Sequence, residues 1–173
     1  MPNVTGWDRD PRLTAKLVFL RLPGVAALVA RQVARLTPEQ LVARQLTDAT
    51  PHTDRIPAVA IDATVAETAA TRGNDGGRTA QRTQFRAILD VVALLARPAQ
   101  WRDQLAEITA PTLWLHGADD PLSELQAARA LAATRPEWEF RTRAGVGHLP
   151  HLEDPAWTAH SITGWLDEQA NSR

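Results

Sequence analysis

The chain has 173 residues, 44% of them apolar, with 19 Lys+Arg against 20 Asp+Glu and a net charge of −1. That composition can bury the core of one globular domain, with room for a subdomain at most. Cysteine is absent, which excludes disulfides, thiolate metal sites and a cysteine nucleophile, and the scattered arginines, with Lys16 the single lysine, form no basic block of the kind that neutralises phosphates.

The start, Met1 to Asp10, is polar, and the apolar stretch from Leu13 to Leu22 is broken by Lys16 and Arg21. No signal peptide or membrane span is read from it, so a cytoplasmic protein is expected, with neither nucleic acid nor membrane as partner. Leu13, Leu17 and Leu20 make a short helical stripe, and Pro23 opens a segment in which Val25, Leu28, Val29, Val33 and Leu36 recur at helical spacing. Thr37-Pro38-Glu39-Gln40 has the form of a capping box and starts another helix. Pro57 begins the next, through Val59, Val65 and Ala69, and the loop from Gly73 to Gly77 ends it. Phe85, Ile88, Leu89, Val92 and Leu95 give the strongest amphipathic helix of this half, which stops before Pro98. Residues 1–107 thus read as helices with narrow apolar stripes, suited to lie over something else or to close on one another as a small bundle.

The pattern changes near Glu107. Ile108 to Gly117 has an unalternating apolar centre, as in a strand buried on both faces of a parallel sheet. Ser123 to Thr134 reads as a helix with Leu125, Ala128 and Leu131 inward, and Trp138 to Thr142 as a second strand, completing a βαβ unit. Asp154 before Pro155 is an N-cap followed by proline at the first helical position, starting a final helix through Trp157, Ile162, Trp165 and Leu166. Trp114, Trp138, Trp157 and Trp165 are expected to fill the core, and Arg141 and Arg143, near Glu137 and Glu139, to form a solvated edge. The fold class is therefore α/β: a helical region over 1–107, then a βαβα unit of a parallel sheet over 108–173. A sheet of two apolar strands leaves open edges, so self-association is expected of the isolated chain.

Reactive groups in open α/β sheets gather beyond the carboxyl ends of the strands. Two loops qualify: Gly117-Ala118-Asp119-Asp120-Pro121 presents carboxylates, and Gly145-Val146-Gly147-His148 presents an imidazole. A carboxylate accepting from one imidazole nitrogen fixes the tautomer and leaves the other nitrogen to take a proton from a nucleophile. Asp119 is expected to cap its loop or face water, and His116 to be a packed, hydrogen-bonded strand-end residue. His148 and His151 would pair as metal ligands only on a helix, and Pro150 lies between them, so neither metal nor cofactor is expected.

Ile108 to Pro121, the run Gly145-Val146-Gly147-His148-Leu149-Pro150-His151-Leu152-Glu153-Asp154-Pro155 and the closing helix resemble the C-terminal part of the α/β-hydrolase superfamily, and the preceding helices resemble its cap, or lid. The resemblance implies a catalytic acid at Asp120 and a catalytic base at His148, in the family's chain order. The family's nucleophile elbow, Gly-x-Ser-x-Gly, is absent: the serines are Ser123, Ser161 and Ser172, none between paired glycines. The implied protein is the cap and C-terminal part of a hydrolase without roughly a hundred N-terminal residues, inactive alone, its N-terminal piece missing through truncation, through gene splitting into a separate N-terminal half, or through a misassigned start. The substrate implied is a small, apolar, ester-like molecule. Epoxide hydrolases use cap tyrosines, and the sequence has none; esterases and haloalkane dehalogenases are not separated. The alternative is a non-catalytic remnant or a partner-binding module.

Overall fold

A computed structural model describes residues 25–72 and 97–171, and between them positions 74, 76, 77, 79, 80, 83, 86, 87, 90 and 94. The expected stripes Leu13/Leu17/Leu20 and Phe85/Ile88/Leu89/Val92/Leu95 lie outside the described residues, as do Pro23, Gly73 and Asp75. The elements are α1 (Val25–Arg35), α2 (Pro38–Ala49), a 3-10 turn (Thr53–Arg55), α3 (Ala58–Thr71), α4 (Pro98–Ala106), β1 (Thr112–Gly117), α5 (Leu125–Ala132), β2 (Trp138–Arg143), α6 (Pro150–Glu153) and α7 (Pro155–Asn171). They fall into two compact units, one holding the described residues up to 43 and from 62 to 109, the other 44–61 and 110–171. Residues 44–61, which the sequence division near Glu107 counts with the helical region, thus group with the strands.

In the first unit, the Thr37 amide donates to Gln40 Oε1 at 3.0 Å and the Gln40 amide to Thr37 Oγ1 at 3.3 Å, closing the capping box that starts α2. The guanidinium of Arg72 donates to the carbonyls of Val33, at 2.8 Å, and Leu36, groups that the end of α1 leaves without helical partners. Along α3, whose residues up to Ile61 belong to the second unit, the covered positions are Ala60, Ile61, Val65 and Thr68, whereas Val59, expected inward, is 75% exposed. Val59 lies two residues, about 200°, from Ile61 around the helix and so faces the other way. Leu28, also expected inward, is 58% exposed.

In the second unit, β1 and β2 pair in parallel from Thr112↔Trp138 to Gly117↔Arg143, joined by α5. Trp114 and His116 of β1 share a face with Trp138 and Phe140 of β2, and the Trp114 ring meets Phe140 edge-on with centroids 5.0 Å apart. Leu113 to Leu115 are half-buried and only His116 and Gly117 are buried, so β1 is less covered than its apolar run suggests. Among the described residues the sheet has two strands, and β1 therefore has one neighbour. On α7 the buried residues are Thr158 and Ser161, while Ile162 and Leu166 are exposed. Small hydroxyl side chains turn inward because they satisfy themselves: Thr158 Oγ1 donates to the Pro150 carbonyl at 2.9 Å. Arg141, expected on a solvated edge, is half-buried and donates to the Ser161 carbonyl at 3.0 Å. Arg143 remains exposed and pairs with Asp154 at 2.8 Å.

The strand ends approach each other at glycine. A Cβ on Gly117 would stand 2.0 Å from the Gly147 carbonyl oxygen and 2.3 Å from that of Val146, both backbone atoms. Gly117→Ala is therefore expected to lower stability by about 2–3 kcal/mol, since the contact is overpacked and backbone must move. Urea denaturation of the two proteins measures it, and equal midpoints would show that the strand ends stand further apart.

Candidate active site

Because β1 and β2 are parallel neighbours, the loops that leave their carboxyl ends are delivered side by side. The Ala118 amide donates to the Arg143 carbonyl at 2.8 Å and the Asp119 amide to the Val146 carbonyl at 2.9 Å, which fastens the first loop to the second. The first loop then turns on Asp120, whose Oδ1 accepts the amides of Leu122 at 2.7 Å and Ser123 at 3.1 Å. This leaves Oδ2 aimed at the other loop, where His148 Nδ1 lies 2.9 Å away. A carboxylate can only accept, so the imidazole donates from Nδ1, and its acceptor lone pair falls on Nε2. The Asp120 side chain is 6% exposed and that of His148 is 45% exposed. A buried acid thus orients a base that solvent can reach.

The two groups shift each other. Burial alone pushes the Asp120 carboxyl up, but the hydrogen bond from His148, the Leu122 amide, the imidazolium charge and the Ser123 amide together hold it below its ordinary value. For His148, the hydrogen bond to Asp120 raises the pKa, burial opposes it, and the charges of Asp120 and Glu153 add to the rise.

His116 is buried at 4% exposure, with Nε2 3.3 Å from Ser123 Oγ and 3.9 Å from Asp120 Oδ2. Its Nδ1 has no hydrogen-bond partner among the described residues. Asp119 faces water, one of the two outcomes expected of it, and its Oδ2 accepts His52 Nε2–H at 2.8 Å. His52 and its neighbour Thr50 arrive from a distant part of the chain, and Glu153 stands behind the His148 turn. Sequence reading missed all three. Only Glu153, close to His148 in sequence, left a local trace. Among the described residues no group of three or more His, Asp or Glu is placed to hold a metal ion, and no helix is long and apolar enough to cross a membrane.

A family model for the alpha/beta hydrolase fold matches residues 2–155. Among curated proteins, the chain is 33% identical over 69 residues to the biotin biosynthesis bifunctional protein BioHC of Teredinibacter turnerae, a match covering 40% of this chain and 12% of that protein. It is 34% identical over 73 residues to the putative carbamate hydrolase RutD of Serratia proteamaculans, covering 42% of this chain and 27% of that one. Each match thus spans well under half the relative's length. No solved structure matches.

The pair sets a pH window. Asp120, held below its ordinary 3.8, contributes stability that is present above that value and lost as pH falls through its folded pKa. His148, held above its ordinary 6.5, contributes stability that is complete below that value and lost as pH rises through its folded pKa. Asp120→Asn keeps an acceptor for the turn and removes the charge. Its deficit in urea is expected to be largest near pH 5–6, at about 1 kcal/mol because solvent reaches His148, and to shrink at pH 3 and in alkali. A deficit independent of pH would mean that the two groups do not interact.

Proposed function

Because the chain belongs to the α/β-hydrolase fold family, we propose that Asp120 and His148 are the acid and base of a triad that hydrolyses carboxylic esters. The observation that supports this is the 2.9 Å bond from His148 Nδ1 to the buried Asp120 carboxylate, with Nε2 on an imidazole open to solvent. The nucleophile is a hydroxyl supplied from outside these 173 residues, since no serine among them stands in Gly-x-Ser-x-Gly. The helical region before residue 108, apart from residues 44–61, serves as the cap, and its Val, Leu and Ala content suits an uncharged acyl or alkyl group. A carbamate, the substrate type in the name of one relative, is likewise cleaved at an acyl carbon.

The cycle follows from the tautomer. The hydroxyl oxygen attacks the acyl carbon while its proton passes to His148 Nε2, and the imidazolium is stabilised by Asp120. Collapse of the tetrahedral intermediate breaks the bond to the leaving oxygen, which takes the proton from Nε2. Water then attacks the acyl-enzyme, giving its proton to Nε2, and the acid product departs as that proton returns to the nucleophile's oxygen. His148 must begin neutral, so the rate rises with pH through its folded pKa, which Asp120 places above 6.5.

The test joins the chain to an N-terminal segment of the fold that carries Gly-x-Ser-x-Gly. Alone, the chain is expected to leave nitrophenyl esters at the uncatalysed rate. Joined, it is expected to turn them over, with His148→Ala and Asp120→Asn each lowering kcat by about 10³- to 10⁴-fold. Turnover indifferent to His148 would overturn the assignment, and a folded fusion with no turnover would favour the non-catalytic remnant.

A further inference from the structure

Behind His148 lies a second carboxylate that the proposed triad does not use. Glu153, at the end of α6, is 6% exposed, and its oxygens accept three donors: Thr50 Oγ1–H at 2.9 Å and the Gly147 amide at 2.7 Å on Oε2, and the Leu149 amide at 3.0 Å on Oε1. Two of these amides flank His148, and the amide of His148 itself donates to the Ala49 carbonyl at 3.1 Å. Every amide of the turn 147–149 is therefore tied down. Thr50, 1% exposed, accepts the His52 amide at 3.0 Å, which leaves its own proton for Glu153. The fit is close: a Cβ on Gly147 would stand 2.4 Å from Thr50 Oγ1.

A buried carboxylate is costly unless its lone pairs are met, and a hydrophobic side chain could fill the same space without that cost. Three converging donors meet the cost here, and they converge on the turn that carries the imidazole. We propose that Glu153 is a positioning residue for His148, its carboxylate clamping the turn 147–149 to the Ala49–His52 corner so that the imidazole stays on Asp120 while protons come and go at Nε2. The catalytic use of the clamp rests on the acid–base reading above; the clamp itself does not. Among the described residues, the titratable and charged groups that face the His148 loop are Asp120 from the loop after β1, with His116 beyond it, Asp119 of the same loop paired with His52, Glu153 from α6, and Arg55, which donates to the Gly145 carbonyl. The charge of Glu153 is among those that raise His148.

The experiment is an NMR titration and amide-exchange measurement on the whole chain, with Glu153→Gln and Thr50→Val. The amide that replaces the carboxylate in Glu153→Gln offers one acceptor oxygen and turns an NH2 toward donors. Glu153→Gln is expected to lower the His148 midpoint by about half a pH unit or more. Exchange at Gly147 and Leu149 is expected to quicken about tenfold or more. Thr50→Val keeps the carboxylate and is expected to quicken Gly147 exchange by a smaller factor. A folded Glu153→Gln protein with an unmoved His148 midpoint would overturn the proposal; if that variant does not fold, unchanged Gly147 exchange in Thr50→Val would do so. Neither readout needs turnover, so loss of the ester-hydrolase reading leaves both standing, and ester turnover beside an unmoved His148 defeats this inference alone.

Discussion

An imidazole can hold a carboxylate at hydrogen-bond distance only if the backbone carrying each is fixed to a few tenths of an ångström, and here that backbone consists of two loops with no regular structure of their own. What fixes them is the parallel pairing of β1 and β2, which ends at Gly117↔Arg143 and hands both loops to the same end of the sheet. Two further amides, from Ala118 and Asp119, continue the bonding past the last strand residues. The approach is so close that a side chain is excluded from Gly117, while Thr50 excludes one from Gly147. The glycines are thus part of the mechanism by which Asp120 meets His148, although neither has a group to offer.

Polar groups buried around this junction have a second role. Val146 is fully buried at the root of the His148 loop, and the next residue, Gly147, meets two buried polar residues, Thr50 and Glu153. Leaving any one of them unpaired would cost on the order of 1–3 kcal/mol, so the network is all-or-none in character. It also explains why residues 44–61 group with the strands and not with the helices that precede and follow them in sequence. The corner at Thr50 gives Glu153 its hydroxyl donor and, through the Ala49 carbonyl, gives the His148 amide its acceptor.

Asp120 and His148 were legible because their signals are local, each standing in a glycine-bearing loop at the end of a strand within one βαβ unit, and the preference for Asp120 over Asp119 came from the family resemblance. The capping box at Thr37 and the Asp154-Pro155 start of α7 were legible for the same reason, since a cap is written in four residues. Thr50 and His52 were not, because their partners stand 103 and 67 residues away and no spacing rule connects them. The faces of α3 and α7 were misread where apolar residues were taken to be inward by default. On α7 it is Thr158 and Ser161 that are buried, while Ile162 and Leu166 face out, and only the contacts decide such a choice.

The direction of the proton between the two loops carries everything else, and it can be seen without substrate. Nitrogen-15 NMR of the imidazoles, above the pH at which His148 titrates, reports which ring nitrogen holds the hydrogen. A bare Nε2 and a protonated Nδ1 are expected for His148, a state lost when Asp120 is replaced by alanine. A His148 protonated on Nε2, or one whose tautomer is unchanged by the Asp120 replacement, would contradict the pairing on which the site depends.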